Sequence, residues 1–146
     1  MPGSANMDNK YSKCKNLIKN IELYNTAVFL YINTSLQDLY DFTLSSYSST
    51  SEENNKINPE NELESSKIKP FGRWFEHNFK NVELNYMSHC GIFSVSNKDI
   101  IQHPKSYYEN LIKYLENSSN PEAGHYFERA WVAVFHPMNH TLKIRE

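Results

Sequence analysis

The sequence predicts a single α/β domain, and three observations support this prediction. Residues 10–22 carry apolar side chains every three or four positions, which is the pattern of an amphipathic helix. Residues 26–33 are β-branched and aromatic, as in a buried strand. Residues 91–95 predict a second strand, followed by helix starts. A helix that alternates with buried strands is typical of an α/β layer fold.

Two central helices are predicted from apolar spacing. A short one begins near Leu36. Residues 70–79 place four aromatic side chains at helical spacing, which indicates that this segment packs into the core. These side chains are Phe71, Trp74, Phe75 and Phe79.

Polar signals mark the starts of two later helices. Ser96, with Asp99 three residues on, has the form of a capping box. His103-Pro104 opens the next helix, since proline is tolerated in a first turn. Its predicted buried stripe is Tyr107, Tyr108, Leu111, Ile112 and Leu115.

The last helix has the clearest predicted boundaries. Asn120 is the expected N-cap, Pro121 the first helical residue, and the helix should run to Phe135 and stop before Pro137. Residues 1–9 and the polar tail are expected to be irregular. Residues 45–67 are rich in Ser, Asn, Glu and Lys, and we expect a flexible insert within one domain of residues 1–146.

Composition excludes several classes of function. The net charge is −2 and no Lys/Arg run occurs, so the basic face of a nucleic-acid-binding protein is missing. Four glycines leave no room for a Gly-rich phosphate loop. The longest apolar run, residues 27–32, is too short to cross a membrane. Two distant cysteines and the lack of an apolar leader segment favour a reducing, cytoplasmic location.

Polar chemistry concentrates on the last helix. Glu122, His125 and Arg129 follow one another at spacings of three and four, so they share a face, with Glu128 near its edge. A carboxylate at a helix N-terminus stays ionised, and an adjacent imidazole or guanidinium can orient it. Such a group suits a general base that deprotonates a hydroxyl. The alternative is a set of solvated surface partners with only a structural role.

Other candidate sites carry weaker signals. His136 and His140 are four residues apart, but Pro137 breaks the helix that a metal-binding pair would need. His89 and Cys90 are adjacent in a predicted strand, so they point to opposite faces, and a core cysteine is the simpler interpretation. No Asp-x-Asp occurs, so a divalent cation bound to a diphosphate has no obvious protein ligand, and no cofactor is predicted.

Three segments, residues 91–100, 103–109 and 120–131, resemble a glycosyltransferase-like family of unassigned function that occurs in fungi, bacteria and large DNA viruses. Its members carry a G-x-F-x-V-S block and then N-P-E-x-G-H-Y-x-E-R-x-W. The match covers about residues 70–137. The same order is remotely similar to the acceptor half of branching N-acetylglucosaminyltransferases of the GT-A class, in which a Pro-Asp-Glu turn supplies the catalytic base. Pro121-Glu122 corresponds to that turn.

The resemblance implies an inverting transfer of a sugar from a nucleotide sugar to a glycan or another hydroxyl acceptor. Glu122 would be the base, and His125, Glu128 and Arg129 would orient it or hold donor phosphate. The expected substrate-binding residues are Arg73, Trp74, His89 and Gly91, although for Trp74 a core position is the stronger alternative. If the protein is viral, it would act in the cytoplasm of a host cell.

The same resemblance implies a partial GT-A-like fold. Family members carry further strands upstream, and Met1-Pro2-Gly3-Ser4 is similar to the end of one such strand. We therefore expect a truncated domain that lacks the N-terminal strands. The rival prediction is a non-catalytic binding or structural protein that keeps only the core of this fold. An exposed sheet edge would allow it to self-associate.

Overall fold

The computed structural model describes residues 4–44, 63–85, 87–118, 120–138 and 141–145. Within these ranges the chain forms six helices and three strands. In chain order they are α1 (Ser4–Tyr24), β1 (Ala27–Ile32), α2 (Leu36–Tyr40), α3 (Phe71–Asn78), β2 (Met87–Ser94), α4 (Asn97–Ile101), α5 (Lys105–Ile112), α6 (Glu122–Val134) and β3 (Thr141–Arg145).

The three strands form one mixed sheet in the order β2-β1-β3. β1 runs antiparallel to β2, with Val28 opposite Ser94 and a register shift between Phe29 and Tyr31. β1 runs parallel to β3, with Ala27 opposite Thr141. β1 is buried because it is the central strand, which explains its continuous apolar run. A small sheet with flanking helices confirms the predicted α/β class.

The core lies between the sheet, α6 and α3, and it is mainly aromatic. Trp74 is fully buried at its centre. The ring centroid of Trp74 lies 4.9 Å from that of Phe127 and 5.5 Å from that of Tyr126. These edge-to-face and tilted contacts are the geometries that aromatic quadrupoles favour, and they fix α3 against α6.

Several predicted elements are confirmed. β1 and α2 lie where the sequence places them. The four aromatic residues of the segment 70–79 are all buried. Ser96 and Asp99 form the expected capping box, in which each side chain accepts a hydrogen bond from the other residue's backbone N–H.

Other boundaries were wrong. α1 begins at Ser4, so residues 4–9 are helical, because no Pro or Gly interrupts the chain between residues 4 and 24. Ile112 and Leu115 were predicted in the buried stripe of α5, but both are exposed, and Leu115 lies beyond the end of the helix at Ile112. β2 begins at Met87, four residues before the predicted strand.

The polar tail contains a strand that the sequence analysis missed. Residues 141–145 alternate apolar and polar side chains and pair with β1 as β3. Of the predicted insert, residues 45–62 lie outside the described residues, while residues 63–67 approach the start of α6. His140 also lies outside the described residues.

Gly72 allows α2 to pack closely against α3. A Cβ atom at Gly72 would overlap the ring of Tyr40, whose hydroxyl donates a hydrogen bond to Glu76 at 3.2 Å. The ring lies directly on the helix backbone, so no larger residue fits at position 72 without moving α2.

Candidate functional site

The start of α6 is fixed by a backbone bridge. The backbone N–H of Glu64 donates to the carbonyl oxygen of Asn120 at 3.0 Å, and the N–H of Glu122 donates to the carbonyl oxygen of Glu64 at 2.8 Å. Asn120 contributes its carbonyl oxygen to this bridge and is not the N-cap of α6, which corrects the prediction. Pro121 occupies that position, and α6 begins at Glu122.

The carboxylate of Glu122 is a buried hydrogen-bond acceptor. One oxygen accepts from the backbone N–H of Leu44 and from the hydroxyl of Tyr126, both at 2.8 Å. The other oxygen accepts from the backbone N–H of Ser66 at 2.8 Å and from the hydroxyl of Ser65 at 3.3 Å. Glu122 is 0% exposed. Its hydrogen bonds therefore hold the residues on either side of the segment 45–62 against the first turn of α6.

These hydrogen bonds keep Glu122 ionised. Burial raises the pKa of this carboxyl, but the N–H groups of Leu44 and Ser66, the hydroxyl of Tyr126 and the charge of Lys69 hold the pKa below its usual range. The negative charge in turn raises the pKa of Tyr126, with burial as the larger cause. In this conformation the carboxylate is out of reach of solvent, so it serves as an internal anchor rather than an open base.

An open groove lies beside this anchor, along the next face of α6. We call it the α6 groove, and its volume is about 390 Å³. It is lined by Gly91, Asn120, Pro121, Gly124, His125, Glu128 and Trp131. Five of these residues, from Pro121 to Trp131, follow one another at helical spacing, so a single face of α6 forms one wall.

His125 and Glu128 are the ionisable groups of the α6 groove. Both are half-buried. Burial lowers the pKa of His125, while the charge of Glu128 raises it and that of Arg129 lowers it. The net shift is downward, so the imidazole is neutral at pH 7. A neutral imidazole beside a carboxylate can accept a proton from a hydroxyl group and hold it.

Gly91 and Trp131 shape the groove. Gly91 has a φ of +60°, a left-handed conformation that glycine adopts without strain, and a Cβ atom here would lie 3.7 Å from the indole nitrogen of Trp131. Ser88 fixes the spacing between the two elements. Its hydroxyl donates to the carbonyl oxygen of Glu128 at 2.8 Å and accepts from the N–H of Trp131 at 3.2 Å. Trp131 is half-buried, with its ring 5.0 Å from that of Phe93.

Arg129 lies away from the groove. Its guanidinium carbon is 3.6 Å from the ring centroid of Phe42, and one of its nitrogens donates to the carbonyl oxygen of His125 at 2.8 Å. Burial lowers its pKa. This cation–π contact holds the chain after α2 against α6. The sequence predicts that Glu122, His125 and Arg129 share one helix face. In the structure they have different places: Glu122 is a buried anchor, His125 lines the groove, and Arg129 packs against the chain after α2.

The four predicted substrate-binding residues do not lie together in the structure. Gly91 lines the α6 groove with His125 and Glu128. Trp74 is fully buried, so neither face of its ring is open to a sugar, and the core alternative describes its position. Arg73 is exposed on α3, and His89 is half-buried in β2; neither lines the groove.

The described residues form neither a metal centre nor a membrane-spanning helix. Among the described residues, no group of three His, Cys, Asp or Glu side chains is arranged to hold a metal ion. No helix in the described ranges is long and apolar enough to cross a bilayer.

Residues 6–144 match the family described as Protein of unknown function (DUF3431). The chain belongs to this family. The match takes in the α6 groove, the Glu122 anchor and the DUF3431 sheet as far as residue 144 of β3. Comparisons with curated proteins and with solved structures found no match.

Four lining residues of this DUF3431 site, Asn120, Pro121, Gly124 and Trp131, were not among the predicted site residues. Trp131 lines the groove at a helical spacing of three from Glu128, so following that face one further turn would have identified it. Asn120 lines it as well, and its side-chain nitrogen is buried without a hydrogen-bond partner among the described residues. No spacing signal indicates Asn120, because the bridge to Glu64 places it.

Proposed function

We propose that the protein is a glycosyltransferase-like member of the DUF3431 family, which transfers a sugar from a nucleotide sugar to a hydroxyl acceptor. The observation that carries this proposal is the meeting of an imidazole, a carboxylate and an indole in the open α6 groove. Aromatic faces and carboxylates are the groups with which proteins bind sugars, since they match the apolar face and the hydroxyl groups of the ring. The resemblance of residues 91–131 to glycosyltransferase-like proteins supports the type of reaction.

In this proposal His125 takes the proton from the acceptor hydroxyl. Its neutral state at pH 7 leaves it able to accept that proton, and it lies in the groove where an acceptor can reach it. Glu128 stabilises the imidazolium that forms, because an opposite charge nearby favours the charged state. Glu122 is not the base here, since its four hydrogen bonds and its burial separate it from an acceptor in the groove.

The Glu122 anchor favours a second candidate, a sugar-binding protein without catalysis. The residue that corresponds to the base of the branching transferases is used to hold the fold together. In this alternative the α6 groove still binds a sugar or a nucleotide sugar, but no transfer follows.

The two candidates are separated by measuring binding and turnover on the same protein. Ligand-detected NMR with a panel of nucleotide sugars, free nucleotides and free sugars measures binding. Release of the nucleotide in the presence of an acceptor panel measures turnover. The variants are His125→Asn and Glu128→Gln, with Glu116→Gln as a matched control, because Glu116 is exposed and lies outside the groove.

We expect the wild type and Glu116→Gln to bind and turn over. His125→Asn should bind but lose turnover by about 10²- to 10⁴-fold, the usual contribution of a general base. The acidic limb of the pH–rate profile should lie below the ordinary histidine pKa of about 6.5, because burial shifts this pKa downward. Binding without turnover by the wild type would select the non-catalytic candidate. A folded wild type that binds no member of the panel would overturn both.

A further inference from the structure

The charged groups around the α6 groove decide which part of a transfer reaction it can hold. Among the described residues that line it, Glu128 has the one acidic side chain, and none is a lysine or an arginine. Arg129 follows Glu128 in the chain, but its guanidinium carbon lies 3.6 Å from the ring centroid of Phe42, and it donates to the carbonyl oxygen of His125 at 2.8 Å. Its charge is therefore placed outside the groove.

Two glutamates act on the groove through its imidazole. Burial is the largest influence on the pKa of His125 and lowers it; among the charges, Glu128 and the buried Glu122 raise it, and Arg129 lowers it. The negative charge of both glutamates thus reaches the groove. Because the net shift is downward, the imidazole adds no compensating positive charge at pH 7. An anionic ligand in the groove would meet repulsion that nothing in its lining offsets.

The N-terminus of α6 does not supply the missing attraction. Helix N-termini bind phosphate through their unpaired N–H groups. Here the N–H of Glu122 donates to the carbonyl oxygen of Glu64 at 2.8 Å, and the N–H of Gly124 donates to that of Pro121 at 2.9 Å. Ala123, between them, is buried and lines a separate cavity. A phosphate in the α6 groove would therefore find neither a cationic side chain nor the N–H of Glu122 or Gly124.

Uncharged hydrogen-bond donors lie at both ends of the groove. At one end, the carboxamide nitrogen of Asn120 is buried without a hydrogen-bond partner among the described residues. An unpaired buried donor costs free energy, which a ligand oxygen would recover. At the other end, the indole nitrogen of Trp131 lies beside Gly91, which has no side chain to cover it. Glu128 lies one turn before Trp131 and can accept. Donors and an acceptor along about 15 Å of helix suit hydroxyl groups, which both donate and accept.

We propose that the α6 groove is the subsite of an uncharged acceptor, a neutral glycoside, and that the diphosphate of the nucleotide-sugar donor is held outside it. This inference rests on the proposed transfer and names the substrate that its groove takes. Asn120 and Trp131 donate to oxygens of the glycoside, and Glu128 accepts from one of its hydroxyl groups while it repels anionic sugars. Asn120 and Glu128 are thus the residues that determine specificity.

The test compares matched neutral and anionic glycosides on the full chain. Methyl glucoside, methyl galactoside and methyl mannoside are each paired with the methyl glycoside of the corresponding uronic acid, in which a carboxylate replaces the hydroxymethyl group. Inorganic pyrophosphate represents the charged part of the donor. The indole N–H signals report binding in NMR, because Trp131 lines the groove and the fully buried Trp74 serves as the internal control. Trp131→Phe assigns the two signals.

At least one neutral glycoside should shift the Trp131 signal saturably and leave the Trp74 signal in place. Its uronic acid partner should bind about fivefold more weakly at low ionic strength, because one repulsive charge is added, and salt should reduce this difference. Pyrophosphate should give no saturable shift of the Trp131 signal. Equal or tighter binding of the uronic acid, or no binding of any neutral glycoside, would overturn the proposal.

Two glutamate variants separate charge from shape. Glu128→Gln removes the carboxylate from the groove, whereas Glu116→Gln removes an exposed carboxylate outside it. We expect the preference for the neutral member of a pair to shrink in Glu128→Gln and to stay about fivefold in Glu116→Gln. The same preference in both variants would show that the groove selects by shape alone, and the charge argument would be wrong.

Asn120→Ala tests the donor at the start of the groove. The bridge to Glu64 uses the backbone of Asn120, so this variant keeps it. Because the carboxamide nitrogen is unpaired in the free protein, its removal should leave the thermal midpoint unchanged or raised, while the neutral glycoside binds about fivefold more weakly. A lower midpoint with unchanged affinity would show a purely structural role and would exclude Asn120 from the subsite.

The same measurements distinguish failure of this inference from failure of the proposed transfer. If neutral glycosides bind with the expected preference but nucleotide release is absent, the transfer fails and the subsite stands. If nucleotide release occurs and pyrophosphate shifts the Trp131 signal saturably, the transfer stands and the diphosphate lies in the groove, which overturns the inference.

Discussion

Glu122 shows how one side chain can satisfy a sequence motif and yet have another role. Its place in the N-P-E segment predicts a base, and its four hydrogen bonds make it an anchor. The spacing was available from the sequence. The hydrogen-bond donors to Glu122 could not be predicted from the sequence, because Leu44 and Ser66 come from segments more than fifty residues away. Long-range backbone donors leave no periodic signal in a chain.

The Glu122→Gln variant should lower the stability. The amide can accept at one oxygen position only, so its NH₂ group must face the backbone N–H of Leu44 or of Ser66. We expect a loss of about 2–4 kcal/mol in the free energy of unfolding, since a buried donor is left unpaired. Urea unfolding measures this loss. Glu128→Gln is the matched control, because Glu128 is half-buried in an open groove, and its effect should stay within about 0.5 kcal/mol. Equal losses in both variants would contradict the anchor role.

The same carboxylate predicts a pH dependence of stability. Its pKa is depressed in the folded protein, so its stabilisation is fully present above the ordinary glutamate pKa of about 4.3 and is lost as the pH falls through the lower, folded-state value. Urea midpoints measured across this range should fall on acidification in the wild type. They should fall less steeply in Glu122→Gln, which has no carboxyl at this position to titrate. Parallel slopes for the two proteins would show that other groups cause the acid sensitivity.

Replacement of two helical glycines by alanine should change the stability of the protein in opposite directions. Gly72→Ala places a methyl group in the ring of Tyr40 and should destabilise the protein by about 1–3 kcal/mol. Gly124→Ala meets only ordinary contacts, 3.8 Å from Pro121 and 3.9 Å from Leu115, so the higher helix propensity of alanine should stabilise α6 by about 0.5–1 kcal/mol. Thermal unfolding of both variants measures the difference. Stabilisation by Gly72→Ala would mean that α2 does not pack against α3 as described.

A single hydroxyl joins β2 to α6 by hydrogen bonds, beside the ring contact between Phe93 and Trp131. Ser88 is buried and joins the two elements through Glu128 and Trp131. Ser88→Ala should cost about 1–2 kcal/mol, because the carbonyl of Glu128 loses its donor. Ser106→Ala, on the exposed face of α5, is the control and should change little. Chemical denaturation measures the stability. Intrinsic Trp fluorescence should also shift in Ser88→Ala, since loss of the hydrogen bond from the backbone N–H of Trp131 alters the packing of its ring on Phe93; an unchanged spectrum would count against this link.

Helices and strands with strong local patterns were predicted well. α3 was found from its aromatic spacing and α4 from its capping box, since both signals are contained in a few neighbouring residues. β3 was missed because five alternating residues in a polar tail carry too little signal, and its partner β1 is distant in the sequence. The α6 groove was found in part. His125, Glu128 and Gly91 were predicted, whereas Trp131 and Asn120 depend on the way in which α6 meets β2 and residue 64.

Across the whole molecule, the free energy of local opening should differ from one helix to another. α1 exposes Tyr11, Ile18, Leu23 and Tyr24, while α6 buries seven of its residues. Few buried contacts allow local opening at a lower free energy than global unfolding. We therefore expect the amide hydrogens of α1 to exchange faster than those of α6 in hydrogen-exchange mass spectrometry. Equal protection of the two helices would show that α1 belongs to the same cooperative unit as the core.

The parallel pairing of β1 with β3 also constrains the order of events during synthesis. Ala27 and Thr141 are neighbours across the sheet, yet more than a hundred residues separate them in the chain. Until residues 141–145 leave the ribosome, one edge of the buried central strand has no partner, and its backbone groups stay open to other chains. The sheet of a nascent DUF3431 chain is therefore exposed to misassembly until residues 141–145 have joined it. A chain interrupted before residue 141 would carry the sequence of all six helices but an incomplete sheet.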